Sequence, residues 1–89
     1  MTTDAGSKTY TVLVRGLFED AVGHDEFGDD DSFFHIGGDS LAGLAITRGL
    51  GDALGCRIAM RLLFDHPTVR GLAGQADLLA AGAAATGRQ

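Results

Sequence analysis

Asp31-Ser32-Phe33-Phe34-His35-Ile36-Gly37-Gly38-Asp39-Ser40-Leu41 is the stretch on which the rest of the sequence turns. Its paired phenylalanines give an apolar anchor. Gly37 and Gly38 then allow backbone angles closed to other residues. The polar pair Asp39-Ser40 opens an apolar run with helical spacing. Ser40 therefore stands at a helix N-terminus, where unbonded backbone N–H groups and the helix dipole favour an anion. A phosphate ester on the Ser40 oxygen is well placed there.

Downstream, the pattern predicts a helix from Ser40 to about Leu54, with Gly55 as its C-cap. At about 100° per residue from Ser40, Ile46, Leu50, Ala53 and Leu54 gather on one side, between about 220° and 320°. Leu41, Leu44 and Ala45 gather on another, with Arg48 and Asp52 among them, between about 40° and 140°. A helix that only packs on a core needs one stripe. The second stripe flanks Ser40, mixes apolar with charged residues, and reads as a transient docking surface. If the helix is rotated from this wheel, Leu41 and Leu44 turn to the core instead.

Further out, Val14, Leu17, Phe18 and Ala21 recur at helical spacing in a first helix from about Tyr10 to Val22, stopped by Gly23. A short helix spans about Met60 to Phe64 and ends at Asp65-His66-Pro67. A last helix starts at the N-cap Thr68, with Val69, Leu72, Ala73, Ala76 and Leu79 on one face. No segment alternates like a strand. The fold class is all-α: a small four-helix bundle of three main helices and a short third one. Residues 1–8 read as a flexible N-terminal arm, 9–80 as the domain, and 81–89 as a flexible C-terminal tail low in complexity. The connection between the first two helices, Gly23–Asp39, has seventeen residues, where bundle connections commonly have about 2–8. Phe27, Phe33, Phe34 and Ile36 lie within it and can dock it on the core, so it is expected to be ordered.

Composition excludes several classes. Eighty-nine residues make one small domain without room for a deep α/β active site. The net charge of −5 argues against nucleic-acid binding. Eight acids fall in residues 19–39 with no Lys or Arg, against three acids and five arginines in residues 40–89. The negative charge thus belongs to the loop. Cys56 is the single cysteine, so no internal disulfide forms. No Cys or His pairing has zinc-ligand spacing. No apolar run is long enough to cross a membrane. The start has no signal-peptide pattern, which predicts a cytoplasmic protein.

The motif resembles that of the carrier proteins of the thiolation type, the peptidyl carrier proteins of nonribosomal peptide synthesis. Their hallmark is an acidic residue, two aromatics, then Gly-Gly-Asp-Ser-Leu, matched here from Asp31 to Leu41. Leu63-Phe64-Asp65-His66-Pro67-Thr68-Val69 is similar to the segment that joins the family's third and fourth helices. The resemblance covers about residues 10–80. It implies a four-helix bundle and a 4′-phosphopantetheine on Ser40, installed from coenzyme A with Mg²⁺ by a phosphopantetheinyl transferase. The arm would carry an aminoacyl, peptidyl or acyl group, and the protein itself would not be catalytic. Gly37, Gly38 and Asp39 would serve the attachment site. Leu41, Leu44, Ala45, Arg48, Met60 and Arg61 would form the partner surface. The partners implied are adenylation, condensation, thioesterase or tailoring enzymes acting in trans on a free-standing monomer.

Several residues have a plainer reading beside this one. Ser40 and Asp39 are each also common helix N-caps, and Asp39 could instead contact the transferase or its metal. His35 beside Asp39 and Ser40 suggests a catalytic triad, but nothing in the loop gives it a defined reach. His66 reads as a structural hydrogen-bonding residue, and Cys56 as a buried, inert thiol. Asp29-Asp30-Asp31 lacks the spacing of a Ca²⁺ loop and reads as a solvated acidic run. Gly43, Gly49 and Gly51 fall inside the second helix, each costing about 0.5–1 kcal/mol relative to Ala, and the sequence gives no reason for them. Arg57 and Leu62 stand where the family often has acids.

Three rivals remain. One is an acyl carrier of polyketide or fatty acid synthesis; those of the free-standing fatty-acid type usually have an acidic second helix, whereas here that helix offers only Asp52 against Arg48. A Gly-Asp-Ser-Leu hydrolase shares only Gly38 to Leu41 and needs a parallel sheet and a spaced Asp-x-x-His; Asp65 and His66 are adjacent. Ala42 also breaks the α/β-hydrolase elbow. A degenerate scaffold domain is disfavoured by the intact Asp39-Ser40 pair.

Overall fold

A computed structural model describes the backbone of residues 2–86 and the side chains of residues 10–81. The described residues form four α-helices and no strand: α1 (Thr2–Val22), α2 (Ser40–Leu54), α3 (Met60–Asp65) and α4 (Val69–Thr86). This is the expected all-α bundle. α1 packs most extensively on α4 and on α2, while short α3 leans on α2.

Three of the helix ends have a clear local chemical cause. Gly23 turns the chain out of α1 with φ +82°, donating its N–H to the Glu19 carbonyl at 2.8 Å. Gly55, at φ +72°, closes α2, and its N–H and that of Cys56 both reach the Gly51 carbonyl, at 2.7 and 3.1 Å. Thr68 caps α4, its hydroxyl accepting the Gly71 N–H at 2.9 Å.

Helix extents differ from expectation at the ends of the chain. α1 begins at Thr2 rather than near Tyr10, and α4 runs on to Thr86. Neither segment contains proline, and residues 76–85 are rich in alanine, the best helix former. At the α4 end, a helix already held by packing propagates through such sequence. The expected flexible arm, residues 1–8, and tail, residues 81–89, fall largely outside the described set, which leaves out Met1, residues 87–89 and the side chains of residues 2–9 and 82–86.

The core is one cluster. Val14 and Phe18 of α1, Phe27 and Phe33 of the loop, Ile46 and Leu50 of α2, Leu63 of α3, and Val69, Leu72, Ala73 and Ala76 of α4 are buried together. Phe34 and Ile36 are half-buried against it, so all four loop anchors dock as the sequence suggested. Phe33 sits between Phe18 and Phe34, with ring centroids 5.2 and 5.4 Å away in edge-to-face contacts.

Ala53, expected on the core side of α2, is exposed. The buried residues of α2 are Gly43, Ile46, Thr47, Leu50 and Gly51. On the wheel they span about 240° through 20°, which leaves Ala53, at about 220°, outside the arc. Glycines draw the arc toward Ser40 because their neighbours fill the missing side-chain space. A Cβ on Gly43 would meet Leu63 Cδ2 at 2.8 Å, one on Gly49 Leu17 Cδ2 at 2.5 Å, and one on Gly51 the Cys56 carbonyl oxygen at 2.6 Å. The three helix glycines thus let α3, α1 and the α2–α3 connection approach α2 closely.

Candidate functional site

The site is built from the loop upward. The Phe33 carbonyl accepts the Ile36 N–H at 3.4 Å and the Gly38 N–H at 2.9 Å, folding Phe33–Gly38 into a tight turn. Gly37 lies at φ +114°, a conformation that L side chains rarely adopt. Gly38 has an ordinary φ, so its role differs from the one expected. A Cβ there would run into the Phe33 ring. One glycine supplies conformation and the other supplies space.

The turn delivers Asp39 as the N-cap of α2, with φ −134° and ψ −176°. Its Oδ1 accepts the Ala42 N–H at 2.9 Å. Asp39 therefore takes the capping role, and Ser40 is the first helical residue, exposed to solvent. The N–H groups of Ser40 and Leu41 have no acceptor within the helix by its geometry, and the dipole adds positive character at this end. An exposed hydroxyl beside two such N–H groups fits a phosphate ester.

Beside Ser40, Leu41 is 78% exposed and Leu44 45% exposed, and Ala45 and Arg48 are also exposed. The rotated alternative, with both leucines in the core, is thereby excluded. Arg61 is exposed on α3, where it pairs loosely with Asp65 at 3.6 Å. Met60, expected on the same surface, instead lies half-buried in the α2–α3 seam. A Cβ on Gly43 would touch its methyl at 3.0 Å, and the Thr47 hydroxyl approaches its sulfur at 3.9 Å. Gly43 leaves the gap that draws Met60 inward.

The loop preceding Ser40 is more firmly held than its acidity suggested. Arg15 of α1 is the hub. Its guanidinium pairs with Asp29 at 3.0 Å and Glu19 at 3.2 Å. It also donates to the carbonyls of Phe27 at 2.7 Å and Asp25 at 3.3 Å. The guanidinium carbon lies 4.5 Å from the centre of the Phe27 ring. On α4, Arg70 donates Nε–H to Asp30 at 2.7 Å and its backbone N–H to the Asp29 carbonyl at 2.9 Å. The Arg70 hydrogen bond holds the Asp30 carboxyl below its ordinary range and raises Arg70 in turn. Asp31 accepts the Gly28 N–H at 2.8 Å. The acidic run is thus engaged as well as solvated: cations from two helices hold Asp29 and Asp30 and a backbone N–H holds Asp31, while Asp30 and Asp31 stay exposed.

His24 completes the strap. Its Nδ1 accepts the Glu26 N–H at 3.0 Å, so Nε2 carries the proton and donates to the Ile36 carbonyl at 2.7 Å. The end of α1 is thereby tied to the residue just before Gly37. His35, the triad candidate, is exposed, and its backbone N–H donates to the Ser32 carbonyl at 2.9 Å. His66 donates its backbone N–H to the Leu62 carbonyl at 2.9 Å and closes α3. Cys56, expected to be buried, is half-buried and lines a groove of about 530 Å³ with Thr47, Arg48, Gly51, Asp52, Gly55, Arg57 and Ile58. Sequence reasoning missed Arg15, His24 and Arg70. The i,i+4 spacing of Arg15 and Glu19 was the one local signal.

A capped helix carrying an exposed N-terminal serine, presented by a pinned glycine turn on a four-helix bundle, defines the carrier-domain class. The family described as phosphopantetheine attachment site matches residues 12–75, and the chain belongs to it. Among curated relatives, a linear gramicidin synthase polypeptide of Brevibacillus parabrevis is 36% identical over 67 residues, covering 75% of this chain and 1% of that protein. A dimodular nonribosomal peptide synthase of Bacillus subtilis (strain 168) is 38% identical over 66 residues, covering 74% of this chain and 3% of that protein. The chain therefore spans only a few per cent of the length of these relatives. Among solved structures, BlmI of Streptomyces verticillus, a type-II acyl carrier protein involved in bleomycin biosynthesis, matches with TM-score 0.80 at 18% identity, over 86% of this chain and 93% of that one. At that identity the likeness concerns the fold. A chain from the complex of the phosphopantetheine transferase Sfp with coenzyme A and a peptidyl carrier protein matches with TM-score 0.72 at 25% identity, over 78% of this chain and 90% of that one.

Proposed function

We propose that Ser40 is the attachment point of 4′-phosphopantetheine and that the protein carries aminoacyl, peptidyl or acyl groups between enzymes of nonribosomal peptide, or hybrid peptide–polyketide, assembly. The observation that carries this reading is the division of labour at the start of α2: Asp39 caps, and Ser40 stands exposed at the first helical position. Gly37, Gly38 and Asp39 present the serine. The N–H groups of Ser40 and Leu41 receive the phosphate. When attached, the arm supplies a thiol that holds the carried group as a thioester.

The protein contributes presentation rather than catalysis. Leu41, Leu44, Ala45, Arg48 and Arg61 form the surface that partners read. A phosphopantetheinyl transferase uses coenzyme A and Mg²⁺ to modify Ser40. Adenylation, condensation, thioesterase or tailoring enzymes then load and unload the arm of a monomer in the cytoplasm. Among the described residues no helix is long and apolar enough to cross a membrane. The peptidyl reading is favoured over the acyl one by the curated relatives and by an α2 whose charged residues, Arg48 and Asp52, balance. Loading separates the two. The arm-bearing protein, offered adenylation enzymes and a malonyl transferase, is expected to accept an aminoacyl group. Exclusive loading by the malonyl transferase would refute the peptidyl reading.

A further inference from the structure

The groove beside Cys56 lies in line with Ser40. Of its lining residues on α2, Gly51 falls within about 20° of the Ser40 direction, Thr47 likewise, Arg48 at about 80° and Asp52 at about 120°. Eleven residues of helix separate Ser40 from Gly51, a rise of about 16 Å. An extended arm of about fourteen bonds from the serine oxygen to its thiol spans about 16 Å, at the roughly 3.5 Å per three bonds of an extended chain. A group carried at the end of an arm laid along α2 thus arrives at this groove.

Its charge is specific. Arg15, Arg61 and Arg70 are all committed to carboxylates elsewhere. Among the described residues, Arg48 and Arg57 enter no ion pair, and both line this groove. Asp52 is the one acid in the lining. Two guanidiniums against one carboxylate leave the groove net positive, in a protein of net charge −5. Gly55 puts no side chain into it, and a Cβ there would meet nothing within 4 Å.

We infer that this groove, resting on the Ser40 reading above, holds carried groups that bear a free carboxylate, with Arg48 and Arg57 as its anion-binding pair. Guanidinium forks match carboxylates in geometry and charge. Carried groups with an apolar end have no such partner and stay in solvent or with the enzymes.

Cys56 reports occupancy, because it is the single cysteine of the chain. A broad-specificity transferase can attach the arm together with its acyl group, from glutaryl-coenzyme A or from five-carbon pentanoyl-coenzyme A. In both products the arm's thiol is capped, so iodoacetamide reads Cys56 alone by intact mass. The glutaryl form is expected to alkylate at least about threefold more slowly than the pentanoyl form, as a docked population of about two thirds gives. The difference is expected to vanish in the Arg48→Gln/Arg57→Gln double variant and to shrink in 1 M salt. Equal rates on fully loaded wild-type protein, or a difference that persists in the double variant, overturn the inference alone. Absence of the arm's mass on the protein overturns the Ser40 reading and this one with it.

Discussion

The chain on the two sides of Ser40 is treated in opposite ways. Upstream, the loop Gly23–Asp39 is held at several points along its length. Arg15 and Arg70 hold its acids, His24 holds Ile36, the Pro67 carbonyl accepts the Phe33 N–H at 2.6 Å, and two phenylalanines are buried under it. Downstream, the outer face of α2 shows Leu41, Leu44, Ala45 and Arg48 to solvent. A carrier needs both conditions. The serine has to be presented in one geometry to a transferase, whereas the neighbouring face has to stay open to successive partners. Substitutions on the two sides should therefore act differently, on folding upstream and on recognition downstream.

Phe33→Ala should have the largest effect on stability. It removes a fully buried ring that also shapes the glycine turn. A loss of about 3–5 kcal/mol in urea denaturation is expected, and a loss below about 1 kcal/mol would mean that the turn is held by other means. Gly51→Ala comes next. Its Cβ meets a backbone oxygen, which cannot swing away, so overpacking of about 1–3 kcal/mol should exceed the helix-propensity gain. Gly49→Ala should cost less, because its neighbour is the mobile end of Leu17. The reverse order would contradict the packing described for α2. Arg15→Ala should cost on the order of 1–2 kcal/mol, since its bonds are half-buried and charge-assisted.

On the open side, Leu41→Ser and Leu44→Ser should change stability by less than about 0.5 kcal/mol. Their effect should fall on loading by adenylation enzymes, read as a raised KM. Unfolding at lower denaturant instead would place these leucines in the core. The Arg70–Asp30 pair should give the smallest effect, because both groups are exposed. The folded state lowers Asp30 from its ordinary value of 3.8. The pair's contribution is therefore present above that value and lost as pH falls through the lower folded one. The stability difference between wild type and Arg70→Ala should shrink as pH drops below about 4 and also in high salt.

Much of this was readable from residue order. Helical spacing in Val14, Leu17, Phe18 and Ala21, and again in Val69, Leu72, Ala73 and Ala76, marked the core faces. The four apolar residues in the long loop foretold its docking. Gly37 and Ser40 were placed by local chemistry alone. What stayed hidden depends on contacts between distant segments. Beyond the i,i+4 spacing to Glu19, nothing local distinguishes Arg15 from a solvated arginine, since its loop partners lie 10–14 residues away along a path the core decides. Gly43, Gly49 and Gly51 looked like helix defects because α3, Leu17 and the Cys56 carbonyl come from elsewhere. Ala53 was misplaced for the same reason. The buried arc of α2 follows those close approaches and not hydrophobicity alone.

The central claim is that Ser40, capped from behind by Asp39 and exposed at the head of α2, accepts the arm. Intact mass after incubation with coenzyme A, Mg²⁺ and a broad-specificity transferase tests it most directly. One phosphopantetheine is expected on the wild-type protein and none on Ser40→Ala. An unmodified wild type, or equal modification of the variant, would contradict it.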